Sequence, residues 1–308
     1  MCPPPPTKPY ILYNNGDSIP LTIAECTINF NHFISNHPRD IIEFDQLVPK
    51  LPPIHISNET FVIPLLALQV TILPNSGICI GITYRHVVDG LTSIHFMKFM
   101  GLNLSVARTC LEKFLPYYDR DVIKDTNGVE AVLLDEYFRM RSSWKDFILD
   151  VDEVHYFVFP ADCRDRLEYP VPKTYFGNCL ALCVSEAKKS ELVATNGVAV
   201  AATAIDKAIS KLQSGPLKGA ERWISDLMNL LKLGRMCTVT GSPSLGFYET
   251  DFGWGSPKKV EMVNQQTKNI SLSECGDEKG GIEVGLMQTK SAMDTFSSIF
   301  EQSLNFLN

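Results

Sequence analysis

The chain has 308 residues, 45% hydrophobic and 20% charged, with a formal net charge of -7. That length allows two domains of ordinary size, and the acidic balance gives no electrostatic reason to expect nucleic acid or an anionic membrane as partner. No apolar run approaches the ~18–20 residues that cross a bilayer. Met1-Cys2-Pro3-Pro4-Pro5-Pro6 has neither the charged start nor the apolar core of a signal peptide. Nine scattered cysteines, an odd number, favour free thiols in a reducing compartment over a disulfide framework.

In chain order, the first strong signal is a pair of apolar runs, Leu65 to Leu73 and Gly77 to Tyr84, joined by Pro74-Asn75-Ser76-Gly77. Turn chemistry between two β-rich runs predicts a buried β-hairpin. Leu91 to Met100 reads as a helix. Tyr117 to Trp144 is the most polar long stretch and places the domain boundary, giving domains 1–145 and 146–308. Val154 to Phe159 is a strand leading into Asp162-Cys163-Arg164-Asp165-Arg166. Helical periodicity follows over Val198 to Leu212 and Leu217 to Leu233; in the latter Leu217, Ala220, Ile224, Leu227 and Leu231 share a face. Short strands are expected at Met236–Thr240, Lys259–Val263, Ile270–Ser273 and Glu283–Gln288. A last helix starts near Ser291, with Asp294 as capping partner and Met293, Phe296, Ile299 and Phe300 as its apolar stripe. The class is mixed α/β.

Few residues are placed for chemistry. His86 follows the second apolar run, three residues before Asp89 and four before Gly90. An imidazole, with an ordinary pKa of ~6.5, serves as a general base near neutral pH when a strand end projects it into a cleft. His32, His37, His55, His95 and His155 show no partner pattern. Glycine-rich phosphate loops are absent, and the glycine before Ser244 is one residue too distant for a nucleophile elbow. Cys179 and Cys183 lack the second ligand pair of a zinc site, so no metal is expected. In Asp251-Phe252-Gly253-Trp254-Gly255 the two glycines free the backbone, and Trp254 between them reads as a packing device. Arg164 and Arg166 read as surface ion-pair partners, or as a clamp for a carboxylate, which guanidinium suits by its fork geometry.

Three of these stretches together resemble the plant BAHD acyl-CoA-dependent acyltransferases. Asp251 to Gly255 is similar to that family's DFGWG motif. Tyr175-Phe176-Gly177-Asn178-Cys179, with Cys183 four residues on, resembles the YFGNC-x3-C motif of its anthocyanin and flavonoid glucoside malonyltransferase group. His86 to Gly90 resembles the HxxxDG site, with two residues, Val87 and Val88, where the family has three. Anchored on the strand, His86 holds the base position; anchored on Asp89-Gly90, that position holds Arg85. The similarity runs from about Tyr10 to the C-terminus.

The resemblance implies a chloramphenicol-acetyltransferase-like fold of two α/β domains, with elements missing at the N-terminus and at the domain crossover between Trp144 and Val154. It implies transfer of malonyl, or another acyl group, from its CoA thioester to a sugar hydroxyl of a flavonoid, anthocyanin or phenolic glucoside. His86 would be the base and Asp89 its orienter. Arg164 and Arg166 would bind the malonyl carboxylate, and the two other motifs would support the structure. No cofactor beyond the acyl-CoA co-substrate is implied, and the expected protein is a cytosolic monomer. The short His86–Asp89 spacing carries the alternative of a non-catalytic member that binds CoA or a phenolic ligand.

Overall fold

The computed structural model describes residues 1–4, 7–86, 116–125, 128–139, 153–263 and 269–305. Its contacts gather into two units, Met1–Val88 with Lys258–Gln265 and Asp89–Pro257 with Gln266–Asn308. The expected boundary at 145/146 and the expected helix from Leu91 to Met100 lie outside the described residues.

The first unit carries β1 (Leu21–Glu25), α1 (Phe30–Ile34), a 3-10 turn at Ile41–Gln46, a small hairpin of β2 (His55–Ser57) and β3 (Thr60–Val62), and the predicted hairpin of β4 (Leu66–Leu73) and β5 (Gly77–Tyr84). β4 lies centrally, parallel to β1 and antiparallel to β5, with Leu66 opposite Tyr84 and Leu73 opposite Gly77. The turn puts Asn75 at φ 58°, a conformation its short amide side chain tolerates. The hairpin is not uniformly buried as its composition suggested. Ala67, Gln69, Thr71 and Leu73 form the buried face of β4, whereas Ile72 on the other face is exposed. Two buried polar side chains are tolerable because Gln69 donates to Gln46 O at 2.7 Å and to Thr71 Oγ1 at 2.8 Å. β5 is held from the same side: a Cβ on Gly81 would overlap the Leu47 carbonyl, and Thr83 Oγ1 donates to Pro49 O at 2.5 Å. The expected strand at Lys259–Val263 forms no ladder. Its polar side chains bond across the unit instead, Glu261 to Arg39 and Lys259 to Asn36 at 2.7 Å.

The second unit holds α2 (Val129–Arg139), β6 (Val154–Asp162), β7 (Leu180–Lys188), α3 (Lys189–Leu192), α4 (Gly197–Lys211), α5 (Trp223–Leu233), β8 (Met236–Gly241), β9 (Asn269–Glu274), β10 (Ile282–Met287) and α6 (Lys290–Asn305). The five strands run in the order β10-β9-β8-β6-β7. β8 is parallel to β6 and β9; the outer pairs, β6–β7 and β9–β10, are antiparallel. Three expectations change here. The polar stretch read as a linker contains α2, whose first amides, Val129 N–H and Glu130 N–H, donate to the Asp125 carboxylate at 2.8 and 3.0 Å. The helix expected from Leu217 starts at Trp223, because Gly219 at φ 81° breaks the rotation. Thr289, not Ser291, caps α6, its Oγ1 accepting from Ala292 N–H. Phe296, Ile299 and Phe300 of the α6 stripe are open to solvent, with Phe296 and Phe300 stacked on each other at 5.6 Å. No helix among the described residues is long and apolar enough to cross a membrane.

Candidate functional site

His86 stands two residues beyond the end of β5, with its side chain exposed and its ring 6.0 Å from that of Tyr84. The residue before it is fixed: Arg85 N–H donates to Leu65 O at 2.8 Å, and Arg85 Nε to Pro64 O at 3.2 Å. The ladder thus extends one step past the strand and presents the imidazole where pairing stops. Asp89, with Val87, Val88 and Gly90, lies outside the described residues.

Arg164 and Arg166 have parted company. Arg164 is 6% exposed and turned inward. Its Nη1 donates to Asp162 Oδ2 at 3.0 Å and its Nη2 to the Gly177 carbonyl at 3.1 Å, while its backbone N–H donates to Asp162 Oδ1 at 2.9 Å. One arm of its fork holds Asp162 and the other the Gly177 carbonyl, so Arg164 braces the Tyr175–Cys179 loop against the end of β6. Arg166 remains exposed, with Nη1 on Asp162 O.

The loop that Arg164 braces is a packing knot. Tyr175, Cys179 and Cys183 are buried with Cys163, Val171, Ala181 and Leu212. Tyr117 and Thr174–Phe176 exchange backbone hydrogen bonds of 2.7 and 2.8 Å, and Arg120 lies 5.6 Å over the Tyr175 ring. Gly177 is required by this crowding, since a Cβ there would collide with the Arg120 guanidinium and the Tyr175 ring. Cys163, Cys179 and Cys183 are free thiols. Desolvation pushes the Cys163 thiol up to about 12, with the neighbouring Cys179 and Asp162 adding to it. Such thiols are inert packing groups.

Asp251 organises the second motif. Its Oδ1 accepts from Gly253 N–H at 2.7 Å and Gly255 N–H at 2.9 Å. Both glycines take positive φ, 97° and 91°. Trp254, expected to pack, is 71% exposed: the loop holds its backbone and leaves the indole out.

Two features had no sequence signal strong enough to mark them. A cavity of about 530 Å³ in the second unit lies between α4 and the β6–β8 face, walled by Phe157, Ala201, Ala204, Ile205 and Met236; none of the expected site residues lines it. In the first unit, His32 bonds both His37 and Glu43, and Glu43 with Asp40 forms a capping box that fixes its place.

Comparison with known proteins gives a consistent result. The model of the Transferase family matches residues 9–124 and 141–303. A coumaroyl-CoA:anthocyanidin 3-O-glucoside-6''-O-coumaroyltransferase of Arabidopsis thaliana is 34% identical, over 98% of this chain and 81% of its own length. A malonyl-coenzyme:anthocyanin 5-O-glucoside-6'''-O-malonyltransferase of Salvia splendens is 31% identical, over 96% and 77%. The Arabidopsis match spans 378 positions against a chain of 308, so at least 70 positions inside it have no residue here. Among solved structures, vinorine synthase superposes with a TM-score of 0.64 at 17% identity, covering 90% of this chain and 74% of that one. The TRI101 protein of F. sporotrichioides, complexed with coenzyme A and T-2, gives 0.55 at 12%, covering 92% and 78%.

Proposed function

The chain belongs to the BAHD acyl-CoA-dependent acyltransferases of the Transferase family, and on that premise we propose that it transfers malonyl from malonyl-CoA to a sugar hydroxyl of a flavonoid, anthocyanin or other phenolic glucoside. The observation that carries this reading is the exposed His86 imidazole at the end of the β5 ladder, beside an Arg85 tied to the Pro64 carbonyl. That arrangement favours the alignment in which His86, not Arg85, is the base, and a guanidinium cannot accept a proton near neutral pH.

In this reading His86 takes the proton of the acceptor hydroxyl as its oxygen attacks the thioester carbonyl. The tetrahedral oxyanion then collapses, expelling CoA thiolate, which recovers the proton from His86. Asp89 is proposed as the residue that orients His86. Arg166, exposed where Arg164 is not, is the proposed partner of the malonyl carboxylate. Relatives that use malonyl and coumaroyl donors match this chain at similar identity, so the donor must be chosen by assay. The protein is proposed to act in the cytosol as a monomer.

The test is incubation with malonyl-CoA or coumaroyl-CoA and a panel of phenolic and anthocyanin glucosides, read by product mass and by CoA release. A malonylated glucoside that disappears with His86→Gln supports the proposal. No product from either donor, together with measurable binding of CoA or glucoside, would sink it in favour of a non-catalytic binder. The two-residue His86–Asp89 spacing favours that second reading, since a catalytic group misplaced by ~1 Å costs on the order of 100-fold in rate. Inserting one residue between Val88 and Asp89 then separates a spacing fault, which the insertion cures, from the loss of other elements, which it does not.

A further inference from the structure

The cavity of about 530 Å³ in the second unit exists because small side chains face each other across two layers. On the sheet, strand register sets side chains in cross-strand rows on one face. Phe157 of β6 is flanked by Ser185 of β7 and Cys237 of β8. Two residues back along the same face, His155 stands beside Ala187. Arg235 just precedes β8, its carbonyl accepting from Tyr156 N–H at 3.0 Å. Ala201 and Ala204 of α4 close the space from above. Three alanines, a serine and a cysteine thus leave a volume that larger side chains would fill, in an interior where voids bigger than a water are otherwise few. Its size falls in the range of small-molecule sites, ~300–1,000 Å³, and like them it is mainly apolar with a few polar groups.

Those polar groups are incompletely bonded. His155 Nε2 and Arg235 Nε are buried, and neither has a hydrogen-bond partner among the described residues. A buried donor left this way is costly, and native structures rarely keep one without use. The charge beside them is already balanced: Arg235 Nη2 is 2.9 Å from Glu153 Oε1, and the Glu153 side chain is 3% exposed. Glu153 Oε2 lies 3.8 Å from His155 Nε2, too far for a hydrogen bond, and its negative charge favours the tautomer with the proton on that nitrogen. The polar end therefore offers two N–H donors and no uncompensated positive charge. That suits an acceptor without charge. An anion would meet the Glu153 carboxylate and the exposed Glu186 of the cavity wall.

We propose that this cavity is a binding site for a neutral aromatic compound carrying a carbonyl oxygen. The rings lie flat between α4 and the β6–β8 face. The oxygen, with a lone pair for each donor, accepts from His155 Nε2 and Arg235 Nε. The site does not depend on acyl transfer, since neither His86 nor Arg166 lines it.

Irradiating the full chain with benzophenone tests this, because the excited ketone inserts into neighbouring C–H bonds and marks its site by peptide mass. Labelling should saturate and fall on peptides covering 153–160, 183–188 and 197–211, not on the β4–β5 hairpin. Ala204→Leu, or Ala201→Leu should the first not fold, fills the space and should weaken labelling about tenfold or more. His155→Leu removes one donor and should weaken benzophenone about 2–10-fold. Diphenylmethane has the same rings and no oxygen; read as a competitor, it should bind wild type and His155→Leu alike. Diphenylacetate, with a carboxylate at the same centre, should compete less well than benzophenone. Labelling that does not saturate, or that lies on other peptides, would overturn the proposal. So would a folded cavity-filling variant labelled like wild type, a His155→Leu chain that treats both two-ring compounds alike, or diphenylacetate as the stronger ligand.

Discussion

Replacing Arg164 with Met keeps the volume of the side chain and removes its fork. The cost follows from what the fork touches. The Gly177 carbonyl, 3.1 Å from Nη2 in a buried loop, loses a charged donor, which typically costs ~1–3 kcal/mol. The ion pair with Asp162 is worth less, because that carboxylate is 46% exposed and such pairs contribute ~0–1 kcal/mol. The two together give about 1–4 kcal/mol, or a fall of roughly 2–16 °C in the unfolding midpoint for a unit of this size. Arg164→Lys keeps the charge but reaches one acceptor at most, so it should recover less than half of the loss. Thermal unfolding of the three proteins, followed by far-UV circular dichroism, measures both. A Met variant within 1 °C of wild type would refute the brace. So would a Lys variant as stable as wild type that loses turnover of malonyl-CoA selectively, because the guanidinium would then be reading the donor's carboxylate.

Three further outcomes are expected. At pH 8 the Cys163 thiol, with a pKa pushed up to about 12, holds about one part in ten thousand as thiolate and should resist iodoacetamide in the folded chain; in urea all nine cysteines should react, as peptide mass mapping would show. The same raised value means the folded state keeps a proton that the unfolded state releases, so stability should decline as pH climbs above the unfolded thiol's value of 9.0 toward 12, measurable as a falling urea midpoint. Gly81→Ala should cost ~1–3 kcal/mol by forcing a methyl against the Leu47 carbonyl, and under the proposed function His86→Gln should lower turnover ~10²–10⁴-fold with its unfolding midpoint unchanged.

How far the sequence could be read depended on whether the signal was local. The β4–β5 hairpin was legible because two apolar runs and a turn specify it within 20 residues. α4 was legible for the same kind of reason. β7 was not, because Leu180–Lys188 alternates through small and polar residues, Ala, Cys, Val and Ser, whose burial is decided by β6 alongside. Lys259–Val263 had strand alternation, yet Glu261 and Lys259 found side-chain partners more than 200 positions away, on Arg39 and Asn36. At the site, His86 could be found because it follows a strand. The inward turn of Arg164 could not, since it depends on carbonyls contributed by Tyr175–Gly177. Trp254 was misjudged because flanking glycines permit close packing without requiring it.

The two glycines around that indole have one more consequence. At φ 97° and 91°, Gly253 and Gly255 occupy backbone states native to amino acids of the opposite hand. D-alanine installed at either position by chemical ligation would match that φ, while L-alanine would strain it. Mirror-image residues would also remove the freedom that glycine keeps in the unfolded chain, making this short stretch stiffer than any ribosomal sequence can.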